Sequence, residues 1–203
     1  MELPMPVTIR PESPEDFPAI HDLVRRAFEH AEHADGDEQH LVDRLRRSRE
    51  YIPELTRSYN GDEVPVSRLR RSREYIPELS LVAEEDGRIV GHVMFSRVKV
   101  GEAAALALAP LAVLPSHHGR GIGGALVRRG HELARALGWE FVILLGHAGY
   151  YPRFGYRPAS SFGIVSPFEA PEEAFMAVKL GGDADRLPGM VAYSPAFFPE
   201  HAG

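Results

Sequence analysis

The segment LAVLPSHHGRGIGGALVRRG, Leu111–Gly130, sets Gly119, Gly121, Gly123 and Gly124 between an apolar run and a helical one. Gly119, Gly121 and Gly124 satisfy G-x-G-x-x-G, the pattern of dinucleotide-binding loops. That reading needs the first glycine in a turn directly off a strand, and an acidic residue ending the next strand to grip a ribose. Here Leu114-Pro115-Ser116-His117-His118 separates the apolar run from Gly119. The next apolar run, Phe141–Gly146, is followed by His147-Ala148, with no Asp or Glu. A P-loop fails too, because no Lys-Ser/Thr follows the glycines. What survives is a loop of unobstructed backbone N–H groups leading into a helix N-terminus. Free donors and the positive end of the helix dipole make that a general pyrophosphate site.

The flanks predict the elements that would hold this loop. Ala103–Pro115 reads as a long apolar strand. GGALVRRGHELARALG is an amphipathic helix stopped by Gly138, and FVILLG is a buried strand. Upstream, LSLVAEEDGRIVGHVMFSRVKV reads as two strands around a Glu85-Asp86-Gly87 turn. Near the N-terminus a short strand precedes a helix start in which Ser13 caps, Pro14 takes the first position and Asp16 follows three residues after the cap. Phe17, Ile20, Leu23, Val24 and Phe28 then recur at helical spacing. A second helix is expected in HLVDRLRRSRE, and further strands near Phe162–Val165 and Phe175–Leu180.

RLRRSREYIPEL occurs twice, at Arg44–Leu55 and Arg68–Leu79, an offset of 24 residues. Two copies are too few for a solenoid, so a tandem duplication that lengthens the link before the strand at Leu79 is expected. The alternative takes Arg44, Arg46, Arg47, Arg49 and their copies as a phosphate or nucleic-acid patch. Glu50, Glu54, Glu74 and Glu78 dilute that charge.

Composition bounds the rest. With 203 residues, 44% hydrophobic and 26% charged, the chain is expected to be one globular domain spanning 1–203, with the duplication inside 44–79. A net charge of −6 offers no general attraction for nucleic acid or an anionic membrane. Cysteine is absent, which excludes disulfides, thiolate metal sites and a cysteine nucleophile. No apolar run approaches a membrane span and no signal pattern opens the chain, so a cytoplasmic protein is the expectation. Glu29, His30, His33 and His40 have loosely metal-like spacing, but no second ligand cluster supports them, and no metal is expected. Asp35, Asp37 and Glu38 in the same link could attract a cationic amine.

LAVLPSHHGRGIGGALVRRG resembles the acetyl-CoA-binding motif of the GNAT superfamily of N-acetyltransferases. The family pattern is a strand, Val-x-Pro, then Gln/Arg-x-x-Gly-x-Gly/Ala opening a helix. GHAGYYPRFGYRPAS resembles the second signature, an aromatic-Tyr pair before x-x-x-Gly-Phe/Tyr, and LVAEEDGRIVGHVMF the usual hairpin. The resemblance covers roughly Val7–Leu180. It implies an α/β (α+β) fold, with a mixed, mostly antiparallel sheet splayed between the Val113 strand and Phe141–Gly146, flanked by helices. It also implies acetyl-CoA as cosubstrate and direct acetyl transfer to the amine of a small molecule or protein.

Residue by residue, the resemblance places His118, Gly119, Arg120, Gly121, Ile122 and Gly123 in the six motif positions. Main-chain N–H groups from Arg120 to Gly124 would hold the pyrophosphate. Leu111, Ala112 and Val113 would pair with the pantetheine arm like an added strand. His118 stands where the family has Gln or Arg. Val113 N–H is the candidate donor to the thioester oxygen as charge develops there. Tyr151, beside Tyr150, is at the position of the acid that protonates the leaving thiolate. An amine with a pKa of about 10 is protonated at neutral pH and must lose a proton, for which His147 is the candidate base. A homodimer is compatible with this reading. Two other classes stay open: an acyl-CoA-binding module without turnover, and a nucleic-acid or partner-binding protein using the arginine repeats.

Overall fold

A computed structural model describes residues 7–29, 70, 73–193 and 197. The strands form a largely antiparallel sheet with the path β1 (Thr8–Pro11), β2 (Tyr75–Glu85), β3 (Arg88–Val100), β4 (Ala103–Val113), β5 (Phe141–Leu145), β8 (Phe175–Lys179), β6 (Arg157–Pro158). β7 (Ile164–Val165) pairs with β9 (Gly189–Ala192), which in turn joins β3 at Lys99–Val100. The β4–β5 pair is parallel and holds at Leu106/Val142 and Ala107/Ile143. Beyond those residues the two strands diverge, which is the splay expected from the resemblance.

Two helices cover opposite faces. α1 (Phe17–Glu29) follows a turn of 3-10 helix at Pro14–Asp16, where the Asp16 carboxylate accepts the Ser13 N–H at 2.8 Å and its hydroxyl at 3.1 Å. Arg10 grips the same carboxylate from β1 and holds its pKa down at about 2. The spacing of Ile20, Leu23 and Val24 aims all three into one core with Val82, Met94 and Ala112. Burying each such side chain contributes about 1.5–3 kcal/mol. α2 (Ile122–Ala136) buries Ile122, Leu126, Val127 and Ala134 in a second core with Val93, Phe95 and Leu106. Phe95 lies so close to Gly130 that any side chain there would collide with its ring, so α2 sits down on the sheet only with glycine at this position. Gly138 ends the helix with a left-handed φ of 81°.

Several sequence expectations shift. The Asp86-Gly87 hairpin turn forms as read, both residues with positive φ. β2, however, begins at Tyr75 rather than Leu79, so the tail of the second repeat copy is strand and not link. Tyr75 pairs with Ser96 and Arg97 N–H donates to the Glu74 carbonyl, and a register shift before Ser80 accommodates Pro77. Phe162 belongs to a 3-10 turn, Ala159–Phe162, which leaves a strand of only Ile164–Val165. The helix expected in HLVDRLRRSRE, the first repeat copy and the histidines His30, His33 and His40 lie outside the described residues. Among the described residues no helix is long and apolar enough to cross a membrane, and no group of three or more potential ligands could hold a metal ion.

Candidate active site

The gap between β4 and β5 is the centre of the site, and the ladder beside it fixes which main-chain groups enter. Leu114 N–H donates to Val90 O at 3.0 Å, and the register runs Gly91↔Val113, His92↔Ala112, Val93↔Leu111. Antiparallel pairs alternate between exchanging both hydrogen bonds and none. Ala112 therefore bonds to β3, while the N–H and C=O groups of Leu111 and Val113 point away from it, toward the gap. His118 confirms the direction: its Nε2 meets the Val113 carbonyl at 3.0 Å. The histidine that replaces the family's Gln or Arg thus folds back onto the strand, and Val113 N–H and both main-chain groups of Leu111 still face the gap.

The glycine loop delivers a second set of donors. Gly119 and Gly121 have φ of 74° and 80°, and a Cβ at either would project into open space, so the loop's outer surface is bare backbone. Ala125 N–H returns to Gly121 O at 3.0 Å, which leaves the N–H groups of Ile122, Gly123 and Gly124 without an acceptor inside the helix. A Cβ on Gly123 would come within 2.8 Å of Tyr150 Oη, 3.6 Å of Val113 and 3.8 Å of Leu111. Strand and helix N-terminus therefore converge on one spot. Arg120, within the glycine loop, turns its guanidinium to Glu85 at the hairpin end, where His117 Nε2 adds a contact at 3.1 Å. Arg120 pulls the Glu85 carboxyl below its ordinary pKa. The contact pins the loop to the hairpin without using its backbone donors.

The tyrosine pair closes the other side. The main-chain N–H groups of Tyr150 and Tyr151 both donate to the His147 carbonyl, at 3.0 and 3.3 Å, so the turn hangs on the end of β5. Tyr151 packs its ring on Gly146, where a Cβ would approach it to 2.5 Å, and against Tyr156 at 5.6 Å between centroids. Tyr150 crosses to α2 instead and places its hydroxyl over Gly123. Burial raises the Tyr150 pKa, so its hydroxyl remains a donor. The sequence expectation had centred on Tyr151; Tyr150 as the residue over the glycine cradle follows only from Gly123 lacking a side chain. The half-buried His147 sits at the same end of β5, one short turn before both tyrosines.

A sheet that splays beside a strand with outward main-chain groups, next to a bare helix N-terminus and a tyrosine turn, is the architecture of an acyl-coenzyme A site. The chain belongs to the GNAT acetyltransferase family: residues 77–158 match the family model described as an acetyltransferase (GNAT) domain, and a full-length relative agrees. That relative is an uncharacterised N-acetyltransferase, YhbS of Escherichia coli K12, 31% identical over 193 residues, which are 93% of this chain and 97% of the relative. YjhQ of the same organism is 43% identical over 98 residues, and the match spans 46% of this chain and 54% of YjhQ. Among solved structures, the chain is similar to Escherichia coli YhbS in complex with CoA, with a TM-score of 0.74, 28% identity, and coverage of 97% of this chain and 94% of that one. It is also similar to a GNAT family acetyltransferase from Brucella melitensis in complex with acetyl-CoA, at TM-score 0.66, 31% identity, and coverage of 95% and 98%.

Proposed function

We propose that the protein is an acetyl-CoA-dependent N-acetyltransferase that moves the acetyl group directly to the amine of a small molecule or protein. The observation that carries this reading is the convergence of Leu111, Val113 and Gly123 on one spot, with bare helix N–H groups on one side and outward strand groups on the other. Acetyl-CoA supplies an activated acyl group. The residues present fit it, because Gly119 and Gly121 leave bare backbone facing open space and a Cβ on Gly123 would come within 2.8 Å of the Tyr150 hydroxyl. The N–H groups of Ile122 to Gly124 would hold the pyrophosphate, aided by the helix dipole. Leu111 and Val113 would pair with the pantetheine amides, and Val113 N–H would meet the thioester oxygen as it gains charge. Tyr151 would give a proton to the leaving thiolate. His147 at the end of β5 is the base that the sequence alone suggests.

A binding module without turnover would use the same cradle, and the tyrosine turn favours the enzyme. Thiol release from acetyl-CoA, screened over polyamines, aminoglycosides, amino acids and peptides, tests the reading. Thiol release that depends on an added amine is the expected result. Tight coenzyme A binding with no amine-dependent release would leave only the binding module. The arginine patch loses support, since Arg70 of the second copy is 10% exposed and paired with Glu12.

A further inference from the structure

On the α1 side of the sheet a set of polar side chains is buried away from the cofactor cradle. The side chain of Glu12, one residue past β1, is fully buried. Arg70 donates to it through Nε at 2.7 Å and a terminal nitrogen at 2.5 Å, and Tyr75 donates its hydroxyl at 2.8 Å. The Arg70 guanidinium is stacked on Phe17, 3.7 Å from the ring centroid. Burial alone would raise the Glu12 carboxyl, but the bonds from Arg70 and His92 outweigh it and hold the group ionised. His92, also fully buried, places Nε2 3.2 Å from Glu12 Oε2 and 3.2 Å from Ser80 Oγ.

These contacts fix the histidine's state. An ionised carboxylate only accepts, so the Nε2 facing Glu12 carries the hydrogen. Burial, with Arg70 adding to it, lowers the pKa of the ring against the opposing pull of Glu12, and the imidazole is neutral. The groups whose charge acts on the ring are Glu12 and Arg70, with Tyr75 beside the carboxylate. β4 offers only Ala112 opposite it, and the buried face of α1 is apolar, with Ile20, Leu23 and Val24. Nδ1 is therefore a bare lone pair, and it has no hydrogen-bond partner among the described residues. Buried polar atoms are almost always paired, so this atom calls for a role.

Its place supplies one. His92 is the cross-strand partner of Ala112, between Leu111 and Val113, whose main chain opens on the gap. α2, with the pyrophosphate cradle, covers the other face of the sheet. With the cofactor arm on the α2 side, the amine would approach the gap from the opposite side of the sheet. We propose that the Glu12–His92 pair, rather than His147, takes up the proton shed by the attacking amine. The ammonium N–H bond breaks, its electron pair stays on the amine nitrogen, and the proton passes through a bridging water to His92 Nδ1. Glu12 orients the ring and stabilises the imidazolium that forms, while Arg70 and Tyr75 hold Glu12 in place. The imidazolium then returns the proton to solvent. This inference rests on the acetyl-transfer reading above.

Two measurements decide it. Nitrogen-15 NMR of histidine-labelled wild-type protein at pH 7 should show His92 as the neutral Nε2–H tautomer. An Nδ1–H tautomer or an imidazolium would overturn the proposal even if His92 variants do not fold. With the amine that turns over in the screen, kcat/KM should rise with pH on an acidic limb lying below the ordinary histidine value of about 6.5. His92→Gln should abolish that limb and lower kcat/KM at pH 7 on the order of 10²-fold, with KM for acetyl-CoA unchanged. His147→Ala should keep the limb. A limb that survives in His92→Gln overturns the proposal while leaving acetyl transfer intact. If the wild type transfers to no amine, the transfer reading itself fails, and this proton acceptor falls with it.

Discussion

The two halves of the proposed site are built from opposite materials. On the α2 side, binding capacity comes from main chain exposed by small residues: Gly119, Gly121 and Gly123, with the outward groups of Leu111 and Val113. On the α1 side it comes from polar side chains packed out of solvent, the charged Glu12 and Arg70 and the neutral His92. The first half would hold a ligand because little fills it; the second holds together because the Glu12 and Arg70 charges are paired. Substitutions should therefore fail differently. A change at the glycine edge should cost binding and spare the fold, whereas breaking the Glu12–Arg70 ion pair in the buried cluster should cost stability.

The largest effect is expected for Glu12→Gln, which leaves the Arg70 guanidinium without its counter-charge. Breaking a buried ion pair in this way costs about 3 kcal/mol, to be read from the denaturant midpoint. The pH dependence has a definite sign. Because Glu12 is held below its ordinary pKa in the folded state, its contribution is fully present above the unfolded value of about 4.3 and is lost as pH falls toward the folded one. Wild type should weaken over that acidic range through Glu12, and Glu12→Gln should lack this part of the slope. Tyr151→Phe comes next, with kcat expected to fall on the order of 10²-fold and coenzyme A affinity to hold. An unchanged kcat would move the acid role elsewhere, with Tyr150 the nearest hydroxyl.

Gly123→Ala sharpens the contrast most cleanly. Alanine suits a helix, so thermal stability should hold. Its Cβ, however, would displace Tyr150 and fill the cradle, weakening coenzyme A binding about tenfold, or about 1.4 kcal/mol. The smallest effect is expected for deletion of residues 44–67. This removes the first repeat copy and restores the same sequence at the junction, because Asp43 then meets Arg68. The second copy supplies Arg70, Tyr75 and the buried Leu79, so stability should change by less than about 1 kcal/mol. A collapse on deletion would show that the first copy carries contacts of its own.

The same contrast explains what could be read in advance. The glycine edge is local: Val113, Pro115 and the glycines up to Gly124 lie in one stretch, so their order and spacing already specify strand, loop and helix start. The Ser13–Asp16 cap and the Asp86-Gly87 turn were legible for the same reason, since each is decided by neighbours in sequence. Arg70 and His92 lie 58 and 80 residues from Glu12, and no local pattern announces that a repeat arginine will bury itself there. The start of β2 escaped for a related cause. Pro77 and Glu78 break the alternation after Tyr75, and only pairing with Ser96 and Arg97 makes that segment a strand. Continuation also explains why the second copy takes this place: Leu81 and Val82 follow it into the core, where Arg57 and Ser58 follow the first copy.

The most direct test of the account is calorimetric titration of acetyl-CoA into wild-type protein and into Gly123→Ala at matched stability. One molecule bound per chain, with affinity reduced about tenfold in the variant and melting temperatures unchanged, is the expected result. Absence of binding to the wild type, or equal affinity in the two, would contradict the assignment of the Gly119–Gly124 cradle.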